Sequence, residues 1–277
     1  MNNDIKTNLG VIRESIQWAD KYGKDSFPRE VFKDYRRQLK RIADALSENC
    51  SAAAYGESQV GKSYLMSSLL SSPDTPFVIK NKDKEYNFID QINPSGGNNT
   101  KQESTGVITR FTIRKSQDHL ADYVKVKNLS VVDIILLLTD SYYNDVKINT
   151  DSVLQIDDIN EALSDLSALW EAKTETQLFI TEDDIRDIHD YLHDIIGNST
   201  AAICKSNFKK VVAPVIQYVP YYKWVDVFSL LWNRNPEYNR LFTALINEYS
   251  KIGFATDVYV PFDAVLRDKG TLLKIEW

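Results

Sequence analysis

The sequence predicts an α/β fold: a small core of strands, preceded by helices and interrupted by a large helical insertion. Three observations predict it. Residues 56–63 read Gly-Glu-Ser-Gln-Val-Gly-Lys-Ser, the G-x-x-x-x-G-K-S spacing of a phosphate-binding loop, set between a small-residue run and a helical pattern. Val107 to Arg114 and Tyr123 to Leu129 alternate in the period of a half-buried strand. From Ser130 to about residue 255 the apolar side chains recur at helical spacing instead, over a stretch far longer than an ordinary loop.

Taken in order, the first expected helix places Leu9, Ile12, Ile16 and Ala19 on one face. The second begins near Ser26 and Pro28, a proline tolerated in a first turn. It carries the stripe Val31, Tyr35, Leu39, Ile42 and Leu46, and stops at Glu48-Asn49. Cys50 to Tyr55 is a small-residue run suited to a buried central strand, and Ser63 to Leu70 carries Leu65, Met66, Leu69 and Leu70 at helical spacing. A turn at Pro73 to Pro76 and a strand around Tyr86 to Ile92 follow. Asn93 to Thr100 contains Gly-Gly-Asn-Asn and reads as a mobile loop. The alternating runs 107–114 and 123–129 are expected to form a hairpin across Lys115 to Leu120. Ser130-Val131-Val132-Asp133 has the form of a capping box and opens a nearly apolar helix to about Tyr143. Further helices are expected over Ile156–Trp170, Glu182–Ile196 (closed by Gly197), Ala201–Tyr218, Lys223–Trp232 and Glu237–Ile252 (closed by Gly253). Strands at Val258–Val260 and Leu272–Ile275 end the chain.

The loop chemistry is direct. Backbone N–H groups from Gly56, Glu57, Ser58, Gln59, Val60 and Gly61 form a nest for the α- and β-phosphates. Lys62 reaches the β/γ oxygens and the Ser63 hydroxyl can ligate Mg²⁺, with Tyr64 closing the nucleotide-binding stretch. This makes the fold a P-loop NTPase core.

Composition bounds the rest. With 277 residues, 43% of them hydrophobic, the chain can bury one large core or two modest ones. A net charge of −6 argues against a broad nucleic-acid surface. The run Arg36, Arg37, Lys40 and Arg41 is expected to be the wet face of its helix. Cys50 and Cys204 lack any partner spacing, so both are expected reduced and buried, in keeping with a cytoplasmic setting.

A second segment narrows the superfamily branch. Ser104-Thr105-Gly106-Val107-Ile108-Thr109-Arg110-Phe111 resembles the switch I region of dynamin-like GTPases. Together with Gly56 to Ser63 and Asn93-Pro94-Ser95-Gly96-Gly97, it resembles the SrfC-like bacterial virulence factor family, large dynamin-related P-loop proteins. The resemblance runs in outline to Tyr259-Val260-Pro261-Phe262. It implies that Thr109 joins Ser63 at Mg²⁺ and positions the attacking water, that Gly106 lets the loop close, and that Lys62, Thr109, Ser58 and Gln59 serve hydrolysis. Ser58 precedes Gln59 here, the reverse of the dynamin order. The family's Asp-x-Pro-Gly motif and the base-reading Thr/Asn-Lys-x-Asp are both absent. The expectation is therefore an N-terminal fragment or truncated relative, with an incomplete core divided into 1–49 (N-terminal helical segment), 50–129 (P-loop core with switch I), 130–255 (helical insertion) and 256–277 (returning strands).

Several lookalikes read better as structure. Asp194-Ile195-Ile196-Gly197 matches D-x-x-G but ends a helix, where Gly197 is a natural cap. Asp74-Thr75-Pro76-Phe77 and Asn81-Lys82-Asp83-Lys84 read as turns. Ile134 to Asp140 has Walker B form, yet the Ser130 cap favours a helix. His189 and His193 lie four apart without a third ligand, and beside Asp187, Asp190 and Asp194 they read as a charged exposed face. The aromatics from Tyr218 to Trp232 read as core rather than a partner groove.

The function so expected is binding and hydrolysis of GTP with Mg²⁺ by a dynamin-like mechanism. The alternatives are an ATP-binding P-loop protein, or a non-catalytic module whose P-loop is vestigial. The helical region offers a surface for a homodimer or a protein partner. Membrane association is compatible with the resemblance, but nothing in the chain indicates it.

Overall fold

The structure, a computed structural model, describes residues 2–23, 25–47, 53–54, 61–92, 109–111, 122–146, 153–169 and 179–266. In chain order these hold α1 (Asn2–Tyr22), α2 (Arg29–Ser47), α3 (Lys62–Leu70), β1 (Val78–Asn81), β2 (Lys84–Asn87), β3 (Tyr123–Lys127) and α4 (Val131–Asp145). Next come α5 (Ile156–Leu169), α6 (Glu182–Tyr191), α7 (Ala201–Lys205), α8 (Phe208–Val212), α9 (Trp224–Phe228), α10 (Pro236–Ser250) and β4 (Asp257–Pro261). The described residues are mostly helical, with two small antiparallel sheets, a mixed α and β composition. The chain divides into two compact units, one of Met1–Asn49 with Leu129–Thr256, the other of Cys50–Asn128 with Asp257–Trp277.

The helical unit owes its interior to α4 through α10. The helix α4 begins where the sequence says it should: Ser130 Oγ accepts from Asp133 N at 3.1 Å, and the Asp133 carboxylate accepts from Ser130 N at 2.8 Å. Asn235 caps α10, its side-chain oxygen accepting from Glu237 N and Tyr238 N, with Pro236 in the first turn. Trp224, Phe228, Trp232 and Phe242 are fully buried beside Ile135 and Ile188. Both indoles keep a partner, Trp224 Nε1 donating to Val219 O at 3.0 Å and Trp232 Nε1 to Asn239 Oδ1 at 2.6 Å. The aromatic run is core, as expected. The expected long helices 201–218 and 223–232 are instead broken into α7, α8, α9 and 3₁₀ turns, with Pro214 and Pro220, which cannot continue a helix, standing in the run.

The helices α1 and α2 form an antiparallel hairpin through a short connection. Its α1 face is as expected, with Ile16 and Ala19 buried and Ile5 added to them. The stripe on α2 is not. Val31, Tyr35, Ile42 and Leu46 are exposed, and the buried residue of α2 is Arg37. The basic run reads as solvated in the sequence, as does the acidic face of the His189 helix; the structure corrects both, because they meet. Lys33 Nζ lies 2.7 Å from Glu182, Arg36 2.5 Å from Asp183, Lys40 2.5 Å from the same carboxylate, and Arg41 2.5 Å from Asp187. Arg37 joins Asp187 at 3.2 Å and Asp190 at 2.6 Å, while Arg186 answers from α6 to Glu30 at 2.7 Å.

Burial pushes the carboxyls of Glu182 and Asp183 up, but Lys33 and Arg186 beside Glu182, and Lys40 and Arg36 beside Asp183, outweigh it, so both sit below the usual carboxylate range. Asp187 goes the other way, raised by burial despite Arg41 and Arg37. His189 donates through Nε2 to Cys204 O at 3.3 Å, and burial holds its pKa below the ordinary histidine value. Cys204 is a half-buried free thiol, while Cys50 lies outside the described residues.

In the second unit β1 and β2 pair antiparallel, Val78 opposite Asn87, around a turn at Lys82, whose φ is 54°. The turn reading at Asn81 to Lys84 holds, and of Asp74 to Phe77 the turn takes in Asp74, between the paired Ser72 and Thr75. The expected strand 86–92 ends at Asn87, and Phe88–Ile92 is one π-helical turn. The strand β3 alternates as expected and pairs with β4, Tyr123 opposite Pro261 and Lys127 opposite Asp257; most of 107–114, its expected hairpin partner, lies outside the described residues. Of that run the described residues, Thr109 to Phe111, form no strand. Strand 272–275 and the loop 93–100 lie outside the described residues.

Candidate functional site

Four residues of the glycine loop are described, and they form a helix start. Gly61 precedes α3 with φ 90° and ψ 16°, a left-handed conformation that a side chain would strain. The first bond of the helix runs from Leu65 N to Gly61 O at 2.9 Å. The backbone N–H groups of Lys62, Ser63 and Tyr64 therefore lie in the first turn of α3, the end of a helix whose dipole favours an anion. Lys62 and Ser63 are half-buried and Tyr64 is exposed. Gly56, Glu57, Ser58, Gln59 and Val60 lie outside the described residues. Ala53 and Ala54, expected in a buried strand, are exposed and in no strand.

The helix α3 packs against the turn Phe88–Ile92. Phe88 belongs to an aromatic cluster with Phe77 at 5.4 Å and Phe111 at 5.1 Å between ring centroids, and Phe77 and Phe111 are 5.2 Å apart. That cluster fixes the segment carrying Thr109, two residues before Phe111, to the turn on which α3 rests. Thr109 and Arg110 are themselves exposed, and Gly106 lies outside the described residues.

Asp140, the Walker B candidate, sits on α4 and accepts from Tyr191 Oη at 3.4 Å. The helix reading holds. Gly197 closes the turn after α6 with φ 70°, as its cap reading requires. His193 pairs with Asp194 at 2.7 Å, and no group of three or more His, Cys, Asp or Glu among the described residues could hold a metal ion. Sequence reasoning missed the pairing of α2 with α6. Its signal was the matched pitch of cations at 33, 36, 37, 40 and 41 with acids at 182, 183, 187 and 190.

The family model described as "Putative bacterial virulence factor" matches residues 12–275. The chain belongs to that family. The match spans the loop at 56–63, the segment around Thr109, the helical unit and both strands of the β3–β4 ribbon, so membership rests on the whole chain rather than on one motif. No curated protein matches the chain, and no solved structure does. Among the described residues no helix is long and apolar enough to cross a membrane.

Proposed function

We propose that the chain binds a nucleoside triphosphate, GTP, through Gly56 to Tyr64, and serves its hydrolysis in the manner of a dynamin-like GTPase. The observation that carries this reading is the left-handed Gly61 at the start of α3, followed by Lys62 and Ser63 in its first turn. That helix start supports the reading, since the G-K-S spacing would turn backbone N–H groups, an ammonium and a hydroxyl toward one bound phosphate. Ser63, with Thr109, fits the hard oxygen chemistry of Mg²⁺, which would neutralise charge on the β- and γ-phosphates. Lys62 holds the same charge from the protein side. Catalysis of this kind is positioning and charge stabilisation, so Ser58 and Gln59 would act by orienting water rather than by covalent chemistry.

A second reading, nucleotide binding without hydrolysis, draws on one observation. The carboxylate available after the apolar run 134–139 belongs to helix α4, and no Asp-x-Pro-Gly stands anywhere in the sequence. The test is calorimetry of GTPγS and ATPγS with and without Mg²⁺, alongside Lys62→Ala. Mg²⁺-dependent GTPγS binding, lost at least about 100-fold in the variant, is expected. Equal affinity for ATPγS overturns the guanine assignment, and binding unchanged by Lys62→Ala overturns the site. Turnover of GTP then separates hydrolysis from binding alone.

A further inference from the structure

The α1–α2 hairpin carries an apolar face that the rest of the helical unit does not cover. Val11, Trp18 and Tyr22 on α1, with Val31, Tyr35, Ile42 and Leu46 on α2, are each between 43% and 56% exposed. On α2 the four side chains fall within a stripe roughly 60° wide, opposite Lys33, Arg37 and Lys40. Those three are engaged with α6 through Glu182, Asp183, Asp187 and Asp190. The ion pairs thus hold α2 with its charged side inward and its apolar side outward. Because the two helices run antiparallel, their winding brings the α1 stripe to the same side, turned away from α6.

The spacing of both stripes is specific. Val31, Tyr35, Gln38, Ile42 and Ala45 step by four, three, four and three residues, and Val11, Ser15, Trp18 and Tyr22 by four, three and four. This is the period of a coiled-coil seam, and neither seam carries a charge. A monomer rarely leaves so large a contiguous apolar face uncovered.

We infer that this face is a homodimer interface, on which a second copy of the chain packs its own α1–α2 hairpin to form a four-helix bundle. Two uncharged seams of matched period, lying side by side on a helical hairpin, are complementary to themselves under a two-fold axis. At these exposures the seven residues leave roughly 700 Å² accessible per copy, within the range each partner contributes to a standard stable interface. Trp18 and Tyr22, whose tilted rings lie 5.8 Å apart between centroids, supply the aromatic anchor that such interfaces favour.

Sedimentation equilibrium of the full chain tests this at concentrations on the order of 10 μM, within the range in which interfaces of standard size associate with μM or tighter affinity. The wild-type chain is expected at twice its 31.8 kDa mass. Trp18→Glu and Ile42→Glu should each weaken association at least about 30-fold, with an unchanged far-ultraviolet circular dichroism spectrum. Leu137→Glu, at an exposed apolar position on α4, should leave the dimer intact. A wild-type chain that stays monomeric overturns the proposal and leaves the face to a different protein. A dimer that survives both seam variants overturns it as well, placing self-association elsewhere.

Discussion

The interior around Trp224 and Trp232 and the seam between α2 and α6 both bury side chains in the helical unit, by opposite means. The interior is apolar and its few polar atoms are matched, as with the two indole donors. The seam buries Arg37, Asp183 and Arg186, and the Nε atoms of Arg36, Arg37 and Arg186 find no acceptor among the described residues. Apolar burial returns free energy in proportion to area, whereas burying charge costs solvation that the partner only partly restores. No residue of α1 or α2 belongs to the apolar cluster of α4 to α10. The difference teaches that the interior supplies stability, while the seam supplies geometry: it fixes which side of the hairpin faces outward.

The contrast can be broken at its strong end first. Trp232→Ala empties a fully buried site and should cost about 4 kcal/mol in chemical denaturation, with little dependence on salt. Asp183→Ala strands Arg36 and Lys40 and should cost about 2 kcal/mol. In 1 M salt that loss should shrink, and hydrogen exchange should accelerate in 2–22 and 29–47 before it does in α4 or α10. An equal salt response in both regions would erase the distinction.

Acidity sharpens the same contrast more gently. Glu182 and Asp183 titrate below their unfolded values, so they stabilise the fold above about pH 4 and that contribution fades as pH falls through their folded values. Asp187, shifted upward, offsets part of this. His189 has a lowered pKa, so the unfolded chain takes up the proton first. Stability should begin to decline as pH drops through about 6.5. His189→Gln, which cannot be protonated, should flatten that shoulder in a pH series of thermal melts and leave the acidic limb in place.

How far the fold was legible follows from the same physics. The helix α4, its Ser130 cap, the Asn235-Pro236 start of α10 and the alternation in β3 could all be read, because each depends on neighbours in sequence. The partner of β3 could not, since β4 lies some 130 positions onward and alternation says only that a strand exists. The burial of α2 was misjudged because an apolar stripe is ordinarily the inward one, and only the acids of a helix more than 140 residues away reverse it. At the candidate site, Gly61, Lys62 and Ser63 stand at a helix start as their spacing predicts. Thr109 was placed on a strand that its described neighbours do not form.

The ribbon of β3 and β4 has a consequence for how the molecule is assembled. Lys127 and Asp257 are paired, so the polypeptide departs on its helical excursion and comes home at adjoining rungs of one ladder. Closing so long a ring from a disordered chain is entropically unfavourable before any rung forms. The ladder can zip cheaply only after the excursion has already condensed and carried its two ends toward each other. The five-residue ribbon is then a clasp fastened late, and mutations that slow the helical collapse should delay it in equal measure.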